Sequence, residues 1–252
     1  MRKIKNYIQF IKENNMFQYN DMIDYTLLEE SATDADFIEL WKKAGMLGVK
    51  SVCVLPKHVS LAKEQLIHSS VLVCTVVSFP HGTDTTITKL NETQRVINDG
   101  ADEVDMVLNY PLLQKHYEDG FEELVYDVKT LVDECHKNTN KDGNPVILKV
   151  IVESGLLSEE ETKVATTICL EAGADFIKTS TGKVSVGAEM NKIKVMFDTI
   201  QESGSNMKIK ASGGVRTADQ INSMLGMVDR FGMGYAAVDK LNGIEAAAPS
   251  EY

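Results

Sequence analysis

Eight short apolar runs recur along the chain, with helix-like stretches between them. They read MIDYT (22–26), SVCVLP (51–56), VLVCTVVSF (71–79), DEVDMVLN (102–109), VILKVIVE (146–153), DFIKTS (175–180), MKIKASG (207–213) and DRFGMG (229–234). The stretches between them carry helix punctuation. Ser31-Ala-Thr-Asp34 offers capping side chains ahead of DFIELWKKAGMLG. LNETQRVINDG closes on Gly100 and TKVATTICLEAG on Gly173, where glycine suits the residue past a helix end. TADQINSMLGM opens on Thr217, another capping residue. Alternation of strand and helix over 252 residues predicts a parallel sheet, and eight repeats predict its closure into an α/β (β/α)8 TIM barrel.

Ile4, Ile8 and Ile11 have helical spacing, so residues 1–18 are expected to form an extra helix covering the bottom of the barrel. No linker or low-complexity tract divides the chain, which predicts one domain over 1–252 with a C-terminal tail over 236–252. KNTNKDGN (137–144) reads as a polar surface loop. The net charge of −11 gives no footprint for nucleic acid and no basic face for a membrane surface. No apolar run reaches the ~18 residues of a membrane span. Cys53 and Cys74 fall in strand-like runs, Cys135 and Cys169 in helix-like ones, and none forms a C-x-x-C pair. Buried free thiols in a reducing, cytoplasmic compartment are the expectation. None of the five histidines forms an H-x-x-x-H ligand pair, so no metal is expected.

In such a barrel the chemistry sits at the C-terminal ends of the strands. With a period of two, Glu103, Asp105, Val107 and Asn109 share a face of the fourth run. The fifth carries Lys149 and, beyond it, Glu153; the sixth ends on Lys178; the seventh carries Lys208 and Lys210 on one face. A single lysine there reads as a structural ion pair. Three amines on adjacent strands, Lys149, Lys178 and Lys210, with Asp105 from the strand before, are harder to read so, because buried charge is costly unless paired. An ordinary lysine has a pKa near 10.4, so only about one in a few thousand is neutral at pH 7. A nucleophilic lysine must be brought down from that value; a second ammonium nearby does this and burial helps, and Lys178 with Lys210 fits that need. Asp105 offers the proton transfers of carbinolamine chemistry. Lys149 reads as a charge partner.

Three glycine-bearing segments follow the last three runs: Thr179-Ser-Thr-Gly-Lys183, Ser212-Gly-Gly-Val-Arg216 and Gly232-Met-Gly234. Glycine lets backbone N–H groups approach a phosphate closely. Thr179, Gly182, Lys183, Gly213, Gly214 and Gly234 are therefore candidate phosphate-binding residues, and Asp24 and Lys149 join them as candidate substrate-binding groups.

GADEVDMVLN, LKVIVESG, AGADFIKTSTGK and KIKASGGVRTADQ, supported by SFPHG (78–82) and SVCVLP, resemble the 2-deoxyribose-5-phosphate aldolase family over roughly residues 20 to 235. These are class I aldolases on a (β/α)8 barrel. The resemblance implies that Lys178 forms the Schiff base, that Lys210 is the second active-site lysine and that Asp105 is the catalytic aspartate. It implies phosphate loops at Gly182-Lys183, Gly213-Gly214 and after the eighth strand. The reaction it implies is reversible cleavage of 2-deoxy-D-ribose 5-phosphate to D-glyceraldehyde 3-phosphate and acetaldehyde, in deoxyribonucleoside catabolism, with no cofactor beyond the covalent lysine. Small phosphosugars and aldehydes would be its partners, and members are often homodimers. RFGMGYAAV departs from the family, which often has a Ser-Ser-type pair where Gly234 and Tyr235 stand. Losing a hydrogen bond to a charged group costs about 1.5–3 kcal/mol, so another Schiff-base aldolase or transaldolase with a different or non-phosphorylated acceptor is the alternative. SEY at the C-terminus resembles the tyrosine-ended tail of some members and reads as a disordered tail.

Overall fold

The computed structural model describes residues 19–116 and 120–244. The expected helix over 1–18 and the end of the tail, with Tyr252, lie outside them. Apolar runs become strands and the stretches between them become helices, with two helices after the fourth strand. The order is β1 (Ile23–Leu27), α1 (Asp34–Leu47), β2 (Ser51–Val54), α2 (Val59–Gln65), β3 (Leu72–Val77), α3 (Thr86–Asn98), β4 (Glu103–Val107), α4 (Tyr110–His116), α5 (Phe121–His136), β5 (Ile147–Ile151), α6 (Glu159–Ala172), β6 (Phe176–Lys178), α7 (Met190–Ser203), β7 (Lys208–Ser212), α8 (Ala218–Met224), β8 (Arg230–Gly234) and α9 (Tyr235–Leu241). The eight strands are parallel and close, β1 pairing with both β2 and β8, so the expected barrel is met.

The caps explain where the helices begin. Thr33 and Asp36 form a reciprocal capping box at α1, Ser158 and Glu161 at α6, and Thr217 and Gln220 at α8. Helix α1 buries Phe37, Leu40, Trp41, Ala44 and Leu47, spaced three or four apart, against the barrel wall. Each large side chain of that stripe contributes about 1.5–3 kcal/mol by leaving water. No described helix is long and apolar enough to cross a membrane.

Three sequence expectations are corrected. The segment from 236, expected as a tail, begins as helix α9. It is pinned because Asp239 accepts from Tyr25 Oη at 2.6 Å and from Lys43 Nζ at 2.7 Å, while Val238 is buried. Gly232-Met-Gly234, expected after the eighth strand, lies within β8. The loop 137–144 is more than polar surface: Asn140 is buried, and Lys141 N–H donates to Asp102 Oδ1 at 2.8 Å across the bottom of the barrel.

Candidate active site

Register places the polar residues. Asp105 pairs with Lys149, Ile151 with Lys178, Lys178 with Lys210, and Lys210 with Arg230. Side chains of alternate residues point inward, so these groups meet inside the barrel. Asp105 Oδ2 accepts from Lys178 Nζ and Lys210 Nζ, each at 2.7 Å, and Oδ1 accepts from Lys149 Nζ at 2.8 Å. Lys149 also pairs with Glu103 Oε2 at 2.7 Å. Asp24 pairs with Lys210, accepts from Arg230 Nη1 at 2.6 Å and from Ser51 Oγ at 2.7 Å. Arg230 Nη1 also lies 3.1 Å from Glu103 Oε2. All seven charged groups are buried.

Burial opposes every one of these charges, and their partners outweigh it. Burial raises the Asp105 carboxyl, but Lys149, Lys178 and Lys210 together hold it well below the usual carboxylate range. Asp24 is likewise held low, against its own burial, by Arg230, Lys210 and Lys149. Burial pulls the Lys149 and Lys210 ammonium groups down, yet the facing carboxylates hold both above the ordinary lysine value. Arg230 is raised in the same way by Asp24 and Glu103. Asp24, Glu103 and Asp105 therefore face Lys149, Lys178, Lys210 and Arg230, and the layer carries one more cation than anion when all are ionised.

Above this layer opens a cleft of about 990 Å3 at the C-terminal ends of the strands. Of the three clustered amines, Lys178 alone lines it; Lys149 and Lys210 are enclosed beneath. Gly182, Lys183, Gly213, Gly214 and Gly234 also line it, with Arg216 and Lys240. Asp24, Lys149 and Thr179, expected among the substrate-binding residues, do not. Thr179 stitches β6 to β7, its hydroxyl donating to Ser212 O and accepting from Ser212 N–H, both at 3.0 Å. Lys208 has the parity of Lys210 but sits exposed at the other end of β7, its ammonium 5.7 Å from the centre of the Phe176 ring.

A barrel that delivers one lysine to a cleft from a buried, paired charge layer has counterparts among known proteins. A family model described as DeoC/LacD family aldolase matches residues 18–236. The chain belongs to that aldolase family. It is 41% identical over 207 residues to a deoxyribose-phosphate aldolase of Mycoplasmoides pirum, covering 82% of this chain and 89% of the relative. It is 41% identical over 230 residues to one of Staphylococcus saprophyticus, covering 90% and 97%. Among solved structures, the tetrameric deoxyribose phosphate aldolase from Aeropyrum pernix superposes with a TM-score of 0.78 at 26% identity, covering 95% of this chain and 97% of the other. An aldolase called QR15 gives 0.75 at 34% identity, covering 87% and 92%.

In this aldolase, glycine is needed where backbone crowds the amines. A Cβ on Gly232 would lie 2.8 Å from Ser212 Cβ and 3.1 Å from Lys210 Cε, so its absence makes room for the Lys210 side chain. Gly213 has φ of 80° and its Cβ would lie 3.0 Å from Gly187 Cα, so both strain and space require glycine there. Gly234 differs: nothing lies within 4 Å of a Cβ built there. Glu153, beyond Lys149 at the end of the fifth run, holds the loop after β6. It sits in the left-handed region at φ 52°, and its carboxylate accepts from Thr181 N–H at 3.3 Å and from the Thr181 hydroxyl. Burial raises its carboxyl, with Thr181 and the Lys178 charge acting against that. Lys183 Nζ donates to Leu28 O at 3.1 Å, which ties the same loop across the cleft to the segment after β1. Sequence reasoning missed Arg230 and Cys74. Arg230 shares inward parity with Gly232 and Gly234 in DRFGMG, which was the available signal. Cys74 S–H donates to Asp105 Oδ1 at 3.2 Å, and nothing in its apolar run marks it.

Proposed function

We propose that this aldolase reversibly cleaves 2-deoxy-D-ribose 5-phosphate to D-glyceraldehyde 3-phosphate and acetaldehyde through a Schiff base on Lys178, without metal or other cofactor. One observation carries the assignment of the nucleophile: Lys178 reaches the cleft while its ammonium lies 2.7 Å from Asp105, beside the enclosed Lys210. Neutral Lys178 adds to the open-chain aldehyde. Loss of water gives an iminium, whose nitrogen accepts the electron pair of the breaking C2–C3 bond as the 3-hydroxyl gives up its proton. Glyceraldehyde 3-phosphate leaves, the enamine takes a proton at carbon, and hydrolysis frees acetaldehyde and the amine. Asp105 is the group within hydrogen-bond reach of Lys178 and moves these protons. The N–H groups of Gly182, Gly213 and Gly214, with Lys183 and Arg216, are the phosphate end of the cleft in this reading. Small phosphosugars and aldehydes are its partners, a homodimer its assembly, and the cytoplasm its compartment, in deoxyribonucleoside breakdown.

A second reading rests on Gly234 and Tyr235, which present no paired hydroxyls to a phosphate: a Schiff-base aldolase whose acceptor need not be phosphorylated. Borohydride trapping with 2-deoxyribose 5-phosphate, followed by peptide mass spectrometry, tests the first. A reduced adduct on Lys178 is expected. An adduct elsewhere, or none with folded protein, overturns the assignment. Comparing kcat/KM for 2-deoxyribose with and without the 5-phosphate separates the two readings.

A further inference from the structure

Cys53 and Cys74 are direct register partners on the adjacent parallel strands β2 and β3. Neighbouring strands lie about 4.8 Å apart, inside the roughly 4.4–6.8 Å window of Cα separations that a disulfide spans. Both cysteines pack together on the lumen side, in an apolar group with Leu28, Leu55 and Val76, where the inward side chains of a closed barrel converge. Their two sulphurs and a carboxylate oxygen of Asp105 all lie within 4.8 Å of one another. We propose that Cys53 and Cys74 are an oxidation site, forming a disulfide on exposure to a peroxide and thereby disabling the aldolase centre.

The surroundings suit the chemistry. Thiolates form beside cations, and Lys149 Nζ lies 3.3 Å from Cys74 Sγ. The Cys74 thiol lowers that of Cys53 against its burial, with Lys210 and Lys178 adding to the effect, whereas burial pushes Cys74 well up. With Cys53 attacking and Cys74 resolving, the bond forms in two steps; the reverse order gives the same disulfide. Leu55, Val76 and Phe79, which pack with the two cysteines, also line a second, smaller surface cleft of about 350 Å3 at the C-terminal ends of β2 and β3. Both thiols are buried, so a peroxide entering from that cleft reaches them by passing these apolar side chains. The same donor atoms would attract a soft divalent ion, but the three neighbouring ammonium groups oppose one.

In the first step the Cys53 thiolate attacks one peroxide oxygen. The S–O bond forms, the O–O bond breaks, and hydroxide leaves and takes a proton to become water. Sulphur gives up two electrons and peroxide gains them. In the second step Cys74 sulphur attacks the Cys53 sulfenic acid, the S–S bond forms, the S–O bond breaks, and the Cys74 proton leaves with the hydroxyl as a second water. The disulfide consumes the S–H that donates to Asp105 Oδ1 and draws Cys74 toward β2. Asp105 loses one of its four partners and its position against Lys178.

The test treats the full-length protein with hydrogen peroxide and follows intact mass, linked peptides and aldol cleavage. Wild type is expected to lose the mass of two hydrogens, to yield a peptide linking Cys53 to Cys74, and to lose at least ~10-fold in turnover, since proton transfer of the kind Asp105 supplies is worth roughly 10²–10⁴-fold. Dithiothreitol should restore both. Cys135→Ser and Cys169→Ser should behave as wild type, and Cys53→Ser or Cys74→Ser should form no link. A link formed with turnover unchanged would overturn the disabling role, and absence of the link under peroxide would overturn the site. The mass readout does not depend on the proposed substrate, so its failure is separate from failure of the deoxyribose phosphate assignment; the turnover readout rests on that assignment.

Discussion

At the scale of single residues, the site is a problem of charge. Seven ionisable groups leave water together, and each is tolerable only because the others remain. Removing the cleft-facing amine should end the chemistry while leaving the layer neutral: Lys178→Ala is expected to abolish turnover and borohydride trapping, and retention of most activity would remove Lys178 as nucleophile. Asp105→Asn takes away a carboxylate that three lysines share, and Lys210→Leu removes the fixed cation beside Lys178. Each should lower kcat by roughly 10²–10⁴-fold. Asp105→Asn should also destabilise the fold, by about 3–5 kcal/mol, because it leaves buried ammonium groups uncompensated; steady-state kinetics and urea titration measure the two effects separately. The sequence made Lys178, Lys210 and Asp105 legible because their parity on adjacent strands is visible in one dimension. It did not separate nucleophile from support. Lys149 and Lys178 differ in depth along the barrel axis, and depth depends on strand tilt and stagger, which no local pattern encodes.

At the scale of elements, the caps and the glycine stops were readable, and the strands after β1 came out one to three residues shorter than the apolar runs. The start signals are chemical: Thr33, Ser158 and Thr217 each offer an oxygen to an N–H in the first turn. Ser158→Ala should cost about 1 kcal/mol in thermal or chemical unfolding, with little effect on KM. Helix α9 was not readable, because YAAVDKL carries no capping side chain and its hold comes from Tyr25 and Lys43, far away in sequence. The start of that helix is also where the cleft can be altered. Gly234 has open space beyond its Cα and an ordinary, non-left-handed backbone. Gly234→Ser is expected to fold normally and to lower KM for 2-deoxyribose 5-phosphate about tenfold, given ~1.5–3 kcal/mol for a hydrogen bond to a charged group. KM for unphosphorylated deoxyribose should not change; a parallel change in both would show that Gly234 does not face the phosphate.

At the scale of the whole molecule, the acidic exterior surrounds a lumen layer with an excess of cations, and this sets the pH range of stability. Asp24 and Asp105 have folded pKa values below the unfolded value near 3.9, so their contribution is complete above about pH 4 and is lost as pH falls through the folded values. Lys149 and Lys210 have folded values above the unfolded value near 10.4, so theirs is complete below about pH 10 and is lost as pH rises through the folded values. Glu153, raised by burial, works the other way and favours the fold at its acid end, which softens the acid limb. Thermal unfolding across pH should show a plateau between those limits and fall at both ends. A midpoint that rises between pH 4 and pH 2 would contradict the assigned ion pairs. Closure of the sheet, which the count of eight repeats anticipated, has one more consequence. Lys178 ends β6, which has only three residues, and so short a strand would fix its last side chain poorly if it were anchored from one side. Around the ring, however, its place relative to Asp105 is determined twice, once through β5 and once the long way through β7, β8, β1, β2 and β3. A surveyor who returns to the starting stake learns the error of every station between, and a barrel spreads the misfit of each strand in the same way, so the reactive nitrogen inherits the accuracy of the whole circuit.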